Sequence, residues 1–333
     1  MRHANWTVWA LECAGVLLAS AALLAGGCDL RPAGPITASG EKIRSMAVNP
    51  ADPAEAEVAS NMRQAEAAYD HALNVLRAHY LKAGIYAKRE WAQRELKNLQ
   101  RARTWQIEGL DPLPQPGSGS IEQAEALLAE RVVDARQQWK EALGELDDYY
   151  AGREMNFKLA MVRTVQRRFD HVHEYAYFLH AEVPPPDLRP REFVQAANDL
   201  YDRALTLHHR GKPFPAITDY GKQRKALGLF LEMVHKYPTS TKIARSAYYI
   251  GEIYKEYFNE NLRAVQWYER AWRWDSNIPL PARSQAAFVY DFRLHRRAKA
   301  LDLYRQVIER EQFAPDRVRY SRQRIGELEN KAR

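Results

Sequence analysis

The sequence predicts an all-α protein. Glycine and proline are few, 16 and 17 in 333 residues, and much of the proline falls in short clusters. Between those clusters, apolar residues recur at the three- and four-residue spacing of a helix stripe. With 46% hydrophobic and 27% charged residues, the chain can build one large core or two smaller ones. Collagen-like, disulfide-rich and wholly disordered classes are excluded.

Residues 13–27, CAGVLLASAALLAGG, form the only long uncharged apolar run, preceded by Arg2 and His3. A membrane span needs about 20 residues, so the run fits the apolar core of a secretory signal. The competing reading is an uncleaved anchor from about Trp6 to Gly27. The run ends in Leu24-Ala25-Gly26-Gly27-Cys28, which resembles the lipobox of bacterial lipoproteins. That resemblance implies a signal over 1–27, cleavage before Cys28 and a covalent lipid on Cys28, with no other cofactor. Asp29 resembles an inner-membrane retention signal, but the overall pattern favours the outer membrane, with the body facing the periplasm. Cys13 and Cys28 are the two cysteines, so a processed body would have no free thiol, and no Cys catalysis or Cys-based zinc site. Residues 28–54, with Pro32, Pro35, Pro50 and Pro53, lack periodicity and read as a tether.

A long-helix region is expected over 55–182, packed as two hairpins or a bundle. Val58, Ala65 and Ala72, interleaved with Met62, Tyr69 and Leu76, mark the first helix, which ends near Gly84. A second runs from Ile85 to about Ile107 through Trp91, Leu96, Leu99 and Trp105. Ser120 with Gln123 reads as a capping box opening a third, with Leu128, Val132, Ala135, Trp139, Ala142, Leu146 and Tyr150. The stripe Met161, Val165, Phe169, Val172, Ala176 and Leu179 extends a fourth to Glu182. VPPPDLRP then cannot be helical, so 183–192 is expected to link to a second region over 193–333.

That second region repeats itself. A shift of 36 residues superimposes Ile253 on Val289, Tyr254 on Tyr290, Ala264 on Ala300, Tyr268 on Tyr304, Ala271 on Val307 and Pro279 on Pro315. Ala226, Phe230 and Met233 restate the Ala-aromatic-apolar set 38 residues earlier. These positions, with Ile250-Gly251, resemble the tetratricopeptide repeat, which implies an α-solenoid of helix pairs. Ile325-Gly326 repeats the first-helix pair and would begin a solvent-facing capping helix. Ala226, Phe230, Tyr237, Pro238, Ser240, Ala247, Tyr248 and Gly251 are similar to the repeats of outer-membrane assembly lipoproteins and of periplasmic division-linked proteins. In that register Tyr248, Glu252, Lys255, Ser284, Phe288 and Asp291 face a groove that takes a segment of a partner protein.

No phosphate loop, serine elbow or kinase set is present, so no enzyme is expected. His171, His173, Glu174 and His180 invite a metal reading, but Tyr177 stands where a helical zinc motif needs its second His. Residues 293–333 hold 12 Lys and Arg against 6 Asp and Glu. With a secretory signal, the acidic partner of that end would be an anionic lipid, a cell-wall polymer or a protein, and not nucleic acid. The expectation is a non-catalytic, membrane-anchored scaffold for envelope proteins, serving outer-membrane protein assembly. The alternatives are a coordinator of wall synthesis or division, and a helical metalloprotein or enzyme in the first region.

Overall fold

The computed structural model describes residues 44–113, 120–212 and 217–330. Cys13, Cys28, the apolar run and most of the tether lie outside the described residues. The fold is all-α, and the chain divides between Glu182 and Val183 into two compact units. Among the described residues no helix is long and apolar enough to cross a membrane.

The first unit is built on α1 (Pro53–Lys82), α2 (Tyr86–Ala102), α3 (Glu125–Gly152) and α4 (Asn156–Arg168). Asp52 caps α1 by accepting from Glu55 N–H at 3.2 Å, and Pro53 sits in the first turn, where its missing N–H costs nothing. Met62, Tyr69 and Leu76 are buried, as are all seven stripe residues of α3. Helices α1 and α3 pack along each other, each folded back on a shorter partner.

Four expectations for this unit are corrected. The tether ends earlier than expected, because Arg44–Ala47 forms β1 and pairs in parallel with β2 (Trp105–Glu108), so Met46 faces Ile107 across the ladder. Met46 and Val48 alternate inward, a period of two over too few residues to stand out. The second helix consequently stops at Ala102, not near Ile107. The third opens at Glu125 and not at Ser120, whose hydroxyl accepts only from Glu122 N–H at 3.4 Å. The fourth stops at Arg168. After it come a single 3₁₀ turn (His171–His173), an extended stretch through Tyr175 and Tyr177, and the short α5 (Leu179–Glu182). Asp170 stops that helix by turning its carboxylate onto Val172 N–H at 3.1 Å.

The unit also contains a duplication. A shift of 70 residues lays α1–α2 on α3–α4, with identities at Ala54/Ala124, Glu55/Glu125, Ala56/Ala126, Ala59/Ala129, Ala65/Ala135, Ala72/Ala142, Leu73/Leu143, Leu76/Leu146, Tyr80/Tyr150 and Lys88/Lys158. The turns match as well. Ile85 N–H reaches Tyr80 O at 2.9 Å and Met155 N–H reaches Tyr150 O at 3.0 Å, with Gly84 and Glu154 both left-handed at φ 69° and 55°.

The second unit holds α6 (Gln195–Arg210), α7 (Tyr220–Lys236), α8 (Ile243–Tyr257), α9 (Asn261–Trp274), α10 (Ala282–Phe288), α11 (Arg297–Arg310) and α12 (Pro315–Asn330). Each helix packs on the next in the chain. The nine positions that define the repeat, Ala226, Phe230, Met233, Ala264, Tyr268, Ala271, Ala300, Tyr304 and Val307, are all 0% exposed. Gly251 is set by the same packing: a Cβ there would lie 2.9 Å from the Tyr268 ring and 3.0 Å from Ala264 O. Residues 183–192 are not a free linker. Val183 is buried, Arg270 Nε donates to Pro184 O at 2.8 Å, and Trp274 Nε1 to Pro185 O at 2.8 Å. Ile325 and Gly326 fall inside α12 rather than at its start.

Candidate functional site

In the second unit, side chains link α6, α8, α10 and α12 in succession. His208 on α6 lies 5.6 Å from the Tyr249 ring and 5.9 Å from the Tyr257 ring on α8. Lys255 on α8 donates to Gln285 Oε1 on α10 at 2.6 Å, and its ammonium stands 5.7 Å from the Phe288 ring centre. Asp291 accepts two bonds from Arg324 on α12, at 2.6 and 3.1 Å, and Tyr304 O–H donates to it at 3.2 Å.

This arrangement corrects half of the expected groove. Tyr248, Lys255 and Asp291 are 6%, 6% and 8% exposed, because they fill the seams between helices instead of lining an open face. Burial, and next the Glu252 carboxylate, push the Tyr248 hydroxyl well above its ordinary pKa of 10.0. Glu252, Ser284 and Phe288 remain partly exposed. Ser284 Oγ donates to Glu311 Oε2 at 3.5 Å, and Glu311 also pairs with Arg317 at 3.0 Å and with Arg283 at 3.7 Å.

The sequence reading missed the residue that gives this face its accessible apolar surface. Beyond Phe288 the backbone widens into a π-turn over Val289–Arg293, a local insertion often found at functional positions. Phe292 on that turn is 40% exposed, packs its ring 4.8 Å from Phe288, and lies under the Arg324 guanidinium at 4.5 Å. An aromatic pair flanked by Lys255 and Arg324 thus spans three helices. The i, i+4 spacing of Phe288 and Phe292 was the available signal; the π-turn left none in the sequence.

In the first unit the titratable groups are mostly consumed internally. Glu95, fully buried, accepts from Arg136 Nη1 at 2.7 Å, from Tyr177 O–H at 2.7 Å and from Tyr69 O–H. Burial raises the Glu95 pKa, and Arg136 and the tyrosines only partly offset it. Of the histidine cluster, His171 pairs with Glu174 at 2.6 Å with its side chain 76% exposed, and His173 pairs with Asp170 at 3.4 Å. His180 lies 5.6 Å from the Phe178 ring. Among the described residues no group of three or more His, Cys, Asp or Glu is placed to hold a metal ion.

The duplication is expressed as a reciprocal clasp. Tyr150 O–H and Lys158 Nζ of the second hairpin both donate to Glu55 of the first, and Tyr80 O–H and Lys88 Nζ of the first both donate to Glu125 of the second. The tyrosine bonds measure 3.0 and 3.1 Å, and the lysines lie 5.7 and 5.8 Å from the tyrosine ring centres. Tyr69 and Trp139, equivalent in the two copies, touch each other at 5.8 Å, as residues on a pseudo-twofold axis must. Comparison with family models, with curated proteins and with solved structures finds no match.

Proposed function

We propose that the chain is a non-catalytic, lipid-anchored scaffold of the bacterial envelope whose second unit, a tetratricopeptide-like solenoid, docks partner proteins. The observation that carries this reading is the Phe288–Phe292 pair, held between Lys255 and Arg324. Aromatic residues next to cations are the residue types that dominate binding at protein interfaces. The complementary partner is a segment carrying an apolar anchor that covers the two rings. The resemblance of Ala226 to Gly251 to outer-membrane assembly lipoproteins directs the search toward that machinery, and the lipobox ending at Cys28 toward the same compartment.

The test is site-specific photo-crosslinking of the full chain in envelope membranes, with a phenylalanine analogue at Phe292 and, as control, at Gln266 on α9. A discrete adduct with an outer-membrane assembly protein, formed from Phe292 only, is expected. Adducts with wall-synthesis enzymes would move the scaffold to wall organisation, and equal labelling from both positions would refute docking at this face. Intact mass of the membrane-extracted chain beside Cys28→Ala decides the anchor: cleavage before Cys28 with added acyl mass, lost in the variant, is expected.

A further inference from the structure

Two hairpins that grip each other reciprocally should bury equivalent surfaces, and along most of their length they do. Trp91 stacks on Tyr175 at 5.3 Å, and the pseudo-equivalent pair, Met161 and Trp105, is joined by a bond from Trp105 Nε1 to Met161 O at 3.0 Å. The copies part at one place. On the α3 side, Arg136, Lys140 and Tyr177 close a polar network over Glu95 and Glu174: Lys140 bonds Glu174 at 2.6 Å and Arg136 bonds Glu95. The equivalent positions on the α1 side are Glu66, Asp70 and Ile107, and Val165 and Thr104 stand where Glu95 and Glu174 do.

With those partners absent, the α1 side is an open cleft of about 640 Å³, lined by Met62, Arg63, Glu66, Asp70 and Asn74 and floored by Arg103 and Trp105. That volume lies inside the roughly 300–1,000 Å³ of small-molecule sites. Two polar atoms in it are buried and make no hydrogen bond. Arg63 Nε has no hydrogen-bond acceptor, its Nη2 being used on Asp111 O, and Glu66 Oε1 receives no hydrogen bond although Arg103 Nε lies 2.9 Å away. Buried polar atoms in native folds are nearly always paired, so an orphan donor beside a carboxylate oxygen held only by the Arg103 charge needs an explanation. Burial holds the Glu66 carboxyl above its ordinary pKa of 4.5, and Arg103 only partly counters that. Trp105, its N–H already spent on Met161 O, offers the cleft only apolar ring surface.

We propose that this cleft binds a small zwitterion, an ammonium and an anionic oxygen on a short apolar skeleton, with Glu66 taking the ammonium and Arg63 Nε the anion. Asp70, 4.0 Å from Arg103, adds a second carboxylate for the ammonium. Trp105 and Met62 cover the skeleton. The same chemistry belongs to a free amino acid and to the ethanolamine headgroup of a phospholipid. The proposal is independent of the docking face on the second unit.

Calorimetric titration of the full chain tests it, with L-phenylalanine, O-phosphoethanolamine, phenethylamine and 3-phenylpropionate as probes. Saturable binding of one of the two zwitterions is expected, at least about tenfold tighter than either single-charge analogue. A preference for L-phenylalanine assigns an amino-acid-like ligand, and a preference for O-phosphoethanolamine a lipid headgroup. Glu66→Gln and Arg63→Gln should each weaken binding by about tenfold, and Lys140→Gln, at the equivalent closed position, should leave it unchanged. Two separate variants keep the test valid if one fails to fold. Absence of saturable binding by both zwitterions up to about 10 mM, or equal binding by phenethylamine, overturns the proposal.

Discussion

The two hairpins of the first unit differ most where they do not touch each other reciprocally. Glu55 and Glu125, Tyr80 and Tyr150, and Lys88 and Lys158 keep both identity and partner. By contrast, Glu95 faces Val165 in the repeat register, and Arg136 faces Glu66. A reciprocal clasp explains this: each residue of a crossed lock must fit its counterpart in the other copy, so a change in one copy needs an answering change in the other. Positions off the lock answer only to their own surroundings. One copy closed its off-lock site with Glu95, and the other left a cleft.

The clasps are equivalent in chemistry but not in burial, and this sets the largest expected effect. The Glu55 side chain is fully buried, whereas that of Glu125 is 27% exposed. Removing one partner of a buried ion pair strands the other, at about 3–5 kcal/mol. Glu55→Ala leaves Lys158, Tyr150 and Asn49 N–H without their acceptor. Urea unfolding of the full chain should therefore show a loss of about 3 kcal/mol for Glu55→Ala and about 1–2 kcal/mol for Glu125→Ala, where water replaces part of the lock. Equal losses would break the comparison and make burial irrelevant to it.

Smaller but more diagnostic is removal of single hydroxyls. Tyr150→Phe and Tyr80→Phe each delete one hydrogen bond to a carboxylate and keep the ring, and each should cost about 0.5–1.5 kcal/mol. Because the lysine bond stays in both variants, the two losses should agree more closely than those of the glutamate variants. A large difference would show that one clasp is made by its lysine alone.

The pH dependence separates the duplicated carboxylate from the one without a twin. Burial pushes the Glu55 carboxyl up, but Lys158, Asn49 N–H and Tyr150 outweigh it and hold the pKa below its ordinary 4.5. Its contribution is complete above that value and is lost as pH falls through the lower folded pKa. Glu95 runs the other way: its folded pKa is raised, so its contribution is complete below the ordinary 4.5 and declines as pH rises from there through the folded pKa. Unfolding curves from pH 3 to 7 should show the advantage of the parent over Glu55→Gln shrinking toward acid. The difference from Glu95→Gln should shift in the parent's favour toward acid. The same sign for both would refute the assignment of causes.

The helix stripes were legible because each position of a 3.6-residue period reports burial directly, and the nine repeat positions of the second unit are the clearest case. The 70-residue duplication was not, because seven of its ten identities are alanines and leucines that any helix core supplies. Its informative pairs, Glu55/Glu125, Tyr80/Tyr150 and Lys88/Lys158, are polar and single. Strand β1 was hidden by length, since four residues cannot establish a period of two. Tyr248, Lys255 and Asp291 were placed on the right helices but on the wrong side of the seam. Spacing gives the angular position of a side chain, while the distance to the next helix decides whether that position is groove or joint.

The turns of the two hairpins give the smallest effect and the sharpest contrast, because the backbone is the same and the residue is not. At φ 69° the first copy has Gly84, and at φ 55° the second has Glu154, which is exposed and makes the strained choice. The left-handed region costs a side-chain-bearing residue about 1–2 kcal/mol, less the entropy glycine loses on folding. Glu154→Gly should therefore stabilise the chain by about 0.5–1 kcal/mol, and Gly84→Glu should destabilise it by a similar amount. No Cβ obstruction complicates the second variant, since nothing lies within 4 Å of a Cβ built on Gly84. If the pseudo-twofold relation holds at the turns, the two changes are the same exchange made in opposite directions. The double variant Gly84→Glu with Glu154→Gly should then return close to the parent's urea midpoint.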